Sequence, residues 1–283
     1  MPQNRRSFLA TLGAVAFGTV TGAAHRPALA RAAAATGLQL YTVRDAMEHD
    51  MPRTLERVAS AGYAEVEFAG YFGRTPREVR VMIDDRGLDS PSVHVAFGDL
   101  AGGWADTLEV AAEIGHGYVV VPWVPEAART TLDDWKRIAD AFNAAGAAAR
   151  DAGLRFAYHN HDFELRPVDD VIPLQLLIDA TDPSLVSFEL DVYWVARAGH
   201  DPLAWLRRTP DRFELLHLKD SSGTPDHRML DVGAGVIDFP GILAFAAESG
   251  VRHCFVEHDD AADAFASIRA SRAYLAGLEH GGA

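Results

Sequence analysis

The sequence predicts a single parallel (β/α)8 barrel, on three observations. Eight short runs rich in β-branched and aromatic residues recur along the chain, and segments with helical spacing of apolar residues lie between them. No Gly/Ser/Pro-rich linker or low-complexity stretch divides the 283 residues, so the repeats belong to one body. The strand runs are LQLYTV (38–43), AEVEFAG (64–70), SVHVAF (92–97), YVVVPWV (118–124), RFAYHN (155–160), VSFELDV (186–192), FELLHLKD (213–220) and HCFVEHD (253–259). The helical segments are PRTLERVASAG (52–62), WADTLEVAAEIG (104–115), LDDWKRIADAFNAAGAAARDAG (132–153), FPGILAFAAESG (239–250) and DAFASIRASRAYLAGL (263–278). Four of them end in glycine, as helices often do: Gly62, Gly115, Gly153 and Gly250. A doubly wound open sheet is the competing architecture. It would carry a Gly-rich phosphate loop after an early strand, and none follows LQLYTV. The one G-x-G, in DVGAGVID (231–238), comes late and lacks a third glycine.

Residues 1–30 read as an address and stand outside the barrel, which spans 36–283. Arg5 and Arg6 directly precede Ser7, Phe8 and Leu9, a mildly apolar Gly/Ala-rich run follows, and Ala28–Ala30 closes with a small-residue cleavage pattern. This resembles a twin-arginine export signal, which implies a periplasmic or extracellular protein with the export machinery as a partner. The run is interrupted by Thr and Gly and is too weakly apolar for a membrane anchor.

Composition narrows the function classes. Beyond residue 30 the chain has 23 basic and 40 acidic residues, a balance of −17. Such a body repels a phosphate backbone, so no nucleic-acid partner is expected. A single cysteine, Cys254, rules out an internal disulfide and lies in an apolar run where packing outweighs reactivity.

In a parallel barrel the loops after the strands form the active-site mouth, and polar residues gather there. Glu67 ends the second strand, His94 sits in the third, His159 and His161 end the fifth, Asp191 the sixth, His217, Lys219 and Asp220 the seventh, and Glu257 the eighth. His159 and His161, two apart in FAYHNHDFEL (156–165), share one face of a strand. Either can be the imidazole that the fifth strand offers a metal. With Asp191, His217 and Glu257 they make a mixed N/O donor set, suited to Mn, Zn, Co, Fe or Mg and poor for calcium.

FAYHNHDFE, FELDVYWVARAGHDP, LLHLKD and FVEHD, read in order after GLQLYTVRD, resemble the sugar phosphate isomerase/epimerase family of xylose-isomerase-like TIM barrels. The resemblance covers essentially the whole mature chain. It implies one divalent metal held by His159, Asp191, His217 and Glu257. Many ketose epimerases of this kind have glutamate on the fifth strand, where this chain has His159.

A metal that chelates a carbonyl and its neighbouring hydroxyl acidifies the adjacent C–H and stabilises the resulting enediolate. The resemblance makes Glu257 the first candidate base, with His161 or Glu164 returning a proton on the other face and Lys219 either paired with Asp220 or polarising a substrate oxygen. Glu67 and His94 are placed to bind sugar hydroxyls, and Tyr41, Trp123 and Trp194 to form the apolar walls on which sugar rings rest. Three outcomes share the enediolate: epimerisation, aldose–ketose isomerisation, and elimination as a dehydratase or lyase. The expectation is a sugar isomerase/epimerase acting on an unphosphorylated sugar or keto-sugar, with elimination or hydration as the rival and a non-catalytic sugar-binding barrel as a third reading. The resemblance also allows a homodimer, since such barrels often pair through their helices.

Overall fold

The computed structural model describes residues 29–33 and 35–280. The twin-arginine motif and most of the leader lie outside them. Among the described residues no helix is long and apolar enough to cross a membrane.

Eight strands close into a parallel barrel: β1 (Gly37–Gln39), β2 (Glu65–Phe68), β3 (Asp89–His94), β4 (Tyr118–Val121), β5 (Arg155–His159), β6 (Val186–Asp191), β7 (Phe213–Leu218) and β8 (His253–Val256). Each pairs with the next in sequence, and β8 closes onto β1 through Gly37 opposite Phe255 and Leu38 opposite Val256. Gly37 permits that seam, because a Cβ there would lie 2.8 Å from both the Glu65 carbonyl oxygen and the Phe255 ring. The helices are α1 (Arg44–Ser60), α2 (Pro76–Asp84), α3 (Trp104–Ile114), α4 (Leu132–Asp151), α5 (Pro173–Ala180), α6 (Val192–Arg197), α7 (Pro202–Arg208), α8 (Phe239–Glu248) and α9 (Ala264–Glu279).

Strand alternation divides the core in two. Val66, Phe68, Val119, Val121, Phe156, Tyr158, Phe188, Leu190, Leu216, Leu218 and Val256 join the outer core between barrel and helices. The residues between them point inward. Tyr118, Val120, Ala157, Leu215 and Phe255 fill the barrel with an apolar layer. Above it, on the same inward rows, stand His94, His159, Glu189, Asp191, His217 and Glu257.

Several elements differ from the sequence expectation. LQLYTV is a strand only to Gln39; Leu40–Val43 form a 3-10 turn whose Tyr41 amide donates to the Gln39 side chain at 2.9 Å. The first helix begins at Arg44, but its regularity breaks at Asp50 (φ −154°, ψ 83°), whose carboxylate accepts from the Arg53 amide and starts a second stretch. The segment that reads as helix from Pro52 is that second stretch. Helices α2, α5, α6 and α7 have no more than nine residues each, too few to display a helical period. Cys254 is buried and burial pushes its thiol up to about 12, in keeping with a packing role.

The expected Lys219–Asp220 pair does not form, because neighbours on a strand face opposite ways. Lys219 turns into the barrel. The buried Asp220 carboxylate accepts instead from the amides of Ser221 (2.7 Å), Gly233 (3.0 Å), Gly235 (2.7 Å) and Ile237 (3.1 Å). DVGAGVID is thus a loop wrapped around a carboxylate of its own chain. Gly233 adopts φ +89°, and a Cβ on Gly235 would come within 2.4 Å of Asp220 Oδ1. Asp220→Ala removes a buried carboxylate that accepts four amide hydrogen bonds and should lower stability by about 2 kcal/mol in urea unfolding. Amide exchange should accelerate across residues 231–237 and change little in β3–β5.

Candidate metal centre and active site

The inward rows of β3 and β5 to β8 bring two overlapping sets of ligand atoms together, His94, His159, Glu189 and His217 in one and Asp191, His217 and Glu257 in the other. Asp191, His217 and Glu257 offer ligand atoms that all lie within 4.8 Å of one another. His159 joins from β5, its Nε2 3.6 Å from Asp191 Oδ2. His217 turns Nδ1 toward Glu257 Oε2 at 2.8 Å. Lys219 sits against the same carboxylates, its Nζ 3.1 Å from Asp191, 2.6 Å from Glu257 and 2.7 Å from Asp259.

A second set of residues lies beneath. Glu189 Oε2 is 2.8 Å from His94 Nε2, 3.1 Å from His159 Nδ1 and 3.1 Å from His217 Nε2. Glu67 accepts from Gln39 at 2.7 Å, from the Ser92 hydroxyl, and from His217 Nε2 at 2.6 Å. Two carboxylates thus hold the far nitrogens of His159 and His217 and leave His159 Nε2 and His217 Nδ1 facing Asp191 and Glu257. Carboxylates behind metal-binding imidazoles fix their tautomers in this way. Glu189 lies two residues before Asp191 on the same inward row, so FELD carried a signal for it that the sequence reading did not use. Asp259, the third partner of Lys219, was likewise not singled out.

The electrostatics favour a cation. Asp191, Glu257 and Asp259 crowd around Lys219, and Glu67 and Glu189 around His217. Burial alone would raise Glu257, but Lys219 and His217 hold it well below the usual carboxylate range. Burial raises Asp191 to about 6 against the pull of Lys219 and His217. Asp191 Oδ2 is buried and accepts no aligned hydrogen bond, despite Lys219 Nζ at 3.1 Å. That open acceptor, the two imidazole nitrogens and the excess of carboxylates fit a divalent transition metal.

Above the cluster opens a cavity of about 550 Å³, whose lining includes Tyr41, His94, Trp123, His159, His161, Lys219, Glu257, Asp259 and Asp260. His161 packs flat on Phe163 and beside Trp194, and its buried Nδ1 has no partner among the described residues. Burial, helped by the Lys219 charge, lowers it to about 3, so it is neutral. His94 is opposite in character: burial would lower it, but Glu67 and Glu189 lift it to about 9. Asp191 and His217 lie beneath the cavity rather than in its lining, and three residues read as catalytic or substrate-binding do not line it either. Glu67 lies below the histidines. Glu164 is wholly buried, where it accepts from the Tyr158 hydroxyl and the His161 amide and so props up the strand 5 loop. Trp194 lies behind His161 and Lys219, with its Nε1 buried.

If Glu189 sets both tautomers, Glu189→Gln should weaken metal binding tenfold or more in competition with a chelator, with an unchanged circular dichroism spectrum. Unchanged affinity would remove that role. Asp191→Ala and His217→Ala should abolish bound metal while the barrel stays folded.

Known proteins resemble this chain in sequence and in fold. The xylose isomerase-like TIM barrel family matches residues 55–278. An inosose dehydratase of Geobacillus kaustophilus is 26% identical over 193 residues, covering 59% of this chain and 61% of that protein. Another, of Bacillus anthracis, is 31% identical over 193 residues, covering 61% of this chain and 64% of that one. The match thus spans less than two thirds of either relative. The structure of a sugar phosphate isomerase/epimerase from Parabacteroides distasonis superposes with a TM-score of 0.76 at 30% identity, covering 86% of this chain and 94% of that one. With its closed parallel barrel and a family match that runs from α1 to α9, this chain belongs to the xylose isomerase-like TIM barrel family.

Proposed function

We propose that the protein is a metal-dependent dehydratase of polyhydroxylated ketones, such as keto-cyclitols and keto-sugars. The reaction removes the proton next to the carbonyl and expels the hydroxyl one carbon further as water, leaving an unsaturated ketone. The observation that carries this reading is a pair of imidazoles, His161 and His94, that line one cavity above the metal cluster. Glu67 and Glu189 hold His94 through Nε2, whereas His161 Nδ1 has no hydrogen-bond partner among the described residues, so the first suits an acid and the second a base. The dehydratases among the relatives support elimination over the isomerisation expected first.

His159, Asp191, His217 and Glu257 would hold the metal, which when bound supplies Lewis-acid stabilisation of charge on the carbonyl and neighbouring hydroxyl oxygens. His161, which lines the cavity above the cluster, accepts the proton from carbon. Glu257, held ionised by Lys219 and His217, is better suited to ligation than to proton abstraction. His94 is tethered through Nε2 to Glu189 and Glu67, which leaves Nδ1 to protonate the departing hydroxyl. Lys219, 2% exposed and locked between three carboxylates, presents a fixed positive charge to oxygen without reorganising.

The substrate is unphosphorylated in this reading. Lys219 is already paired, and Glu257, Asp259 and Asp260 beside it repel a phosphate. That agrees with a protein acting after export.

Isomerisation is the second reading, favoured by the 30% identical Parabacteroides distasonis structure. Mass spectrometry of products formed in heavy water from inosose and from 3-keto-glucose separates the two. Dehydration gives a product lighter by one water; an isomerase returns a product of substrate mass carrying deuterium, which would contradict the proposal. His161→Ala should lower kcat about 100-fold or more with metal content unchanged.

A further inference from the structure

We propose that the mouth of the cavity holds a second sugar ring, so that the preferred substrate is a two-ring keto-glycoside whose outer ring lies against Trp123 and Tyr41. This deepens the reaction proposed above and rests on it for the keto group alone. The cavity, at about 550 Å³, is in the range that accepts a drug-sized ligand and is well beyond the need of one six-membered ring. Its chemistry is concentrated at one end: His94, His159, His161, Lys219 and Glu257 form the polar floor, where the reacting ring must sit to reach the metal ligands. The remaining lining includes two large aromatic side chains, from the loops after β1 and β4.

Both are displayed rather than buried. Tyr41 is 41% exposed and Trp123 47%, whereas Trp135 and Trp205, which pack in the core, are 1% and 5% exposed. The Tyr41 ring is also held in place. The Arg44 guanidinium stacks 4.3 Å from its centroid while Nη1 donates to the Tyr41 carbonyl at 3.0 Å and to the Asp259 carbonyl at 2.9 Å. A cation occupies one face of the ring, and the ring itself is part of the cavity lining. Trp123 follows Pro122, another lining residue, and precedes Val124 and Pro125; the two prolines fix the local backbone. Flat apolar faces edged by polar groups suit the C–H face of a pyranose. Asp259 and Asp260 share the lining, so the added group is neutral or a hydrogen-bond donor, as sugar hydroxyls are.

The test is binding, measured by calorimetry on the metal-loaded protein with glucose, cellobiose, trehalose and phenyl glucoside. At least one disaccharide should bind about tenfold or more tighter than glucose, and Trp123→Ala should erase the difference while Trp123→Phe retains part of it. Tyr41→Ala should weaken the same disaccharide independently. Disaccharides no tighter than glucose, or a difference that survives Trp123→Ala, would overturn the subsite. Phenyl glucoside binding tighter than both disaccharides would also overturn it, in favour of an aromatic group. Dehydration of single-ring ketones without disaccharide preference removes the subsite and leaves the reaction. Trp123-dependent disaccharide binding with no turnover of any ketone does the reverse.

Discussion

Every functional feature of this molecule depends on a geometric constraint: in a closed sheet of parallel strands, alternate residues must point into the barrel. The lower part of that space is filled by Tyr118, Val120, Ala157, Leu215 and Phe255. The next inward residue on β3, β5, β7 and β8 is His94, His159, His217 and Glu257. On β6, Glu189 and Asp191 occupy successive inward positions, so one strand supplies both a candidate ligand and the carboxylate that meets His159 and His217. A one-residue slip of that strand would turn both outward, which is why strand register and site chemistry are fixed together.

Packing so many carboxylates into a dry interior is costly unless cations answer them. Lys219 answers three at once, and it can do so because Asp220, its neighbour, faces the other way and organises the loop after β7. Glu67 and Glu189 raise His94, while burial and the positive charges around them lower His159 and His161. The floor of the cavity therefore offers fixed charges and one free imidazole, the requirements of proton transfer next to a carbonyl.

Much of this was legible in the sequence, and the illegible part has a physical pattern. The strands stand out because each outer row is apolar, as in VSFELDV, and the strand-end polar residues stand out because they interrupt those rows. Short helices such as Val192–Arg197 have under two turns and no period to detect. Glu189 was passed over because a glutamate inside a strand run resembles a solvent-facing residue until closure of the barrel shows which side is interior. The placement of Glu164 behind the site, and of Tyr41 at its mouth, depends on loop geometry: a 3-10 turn in each case, set by the Tyr158 hydroxyl and His161 amide for one and by the Gln39 side chain for the other.

The central claim is that one ion sits among His159, Asp191, His217 and Glu257, with Glu67 and Glu189 behind the imidazoles. Glu189 Oε1 has no hydrogen-bond partner among the described residues, and His94, His159, Glu189 and His217 also offer ligand atoms within 4.8 Å of one another, so they define the rival position. Anomalous diffraction from crystals grown with manganese decides between them. The account expects a single peak in contact with Asp191 and Glu257; a peak bound by His94 and Glu189, or none at full manganese occupancy in solution, would contradict it.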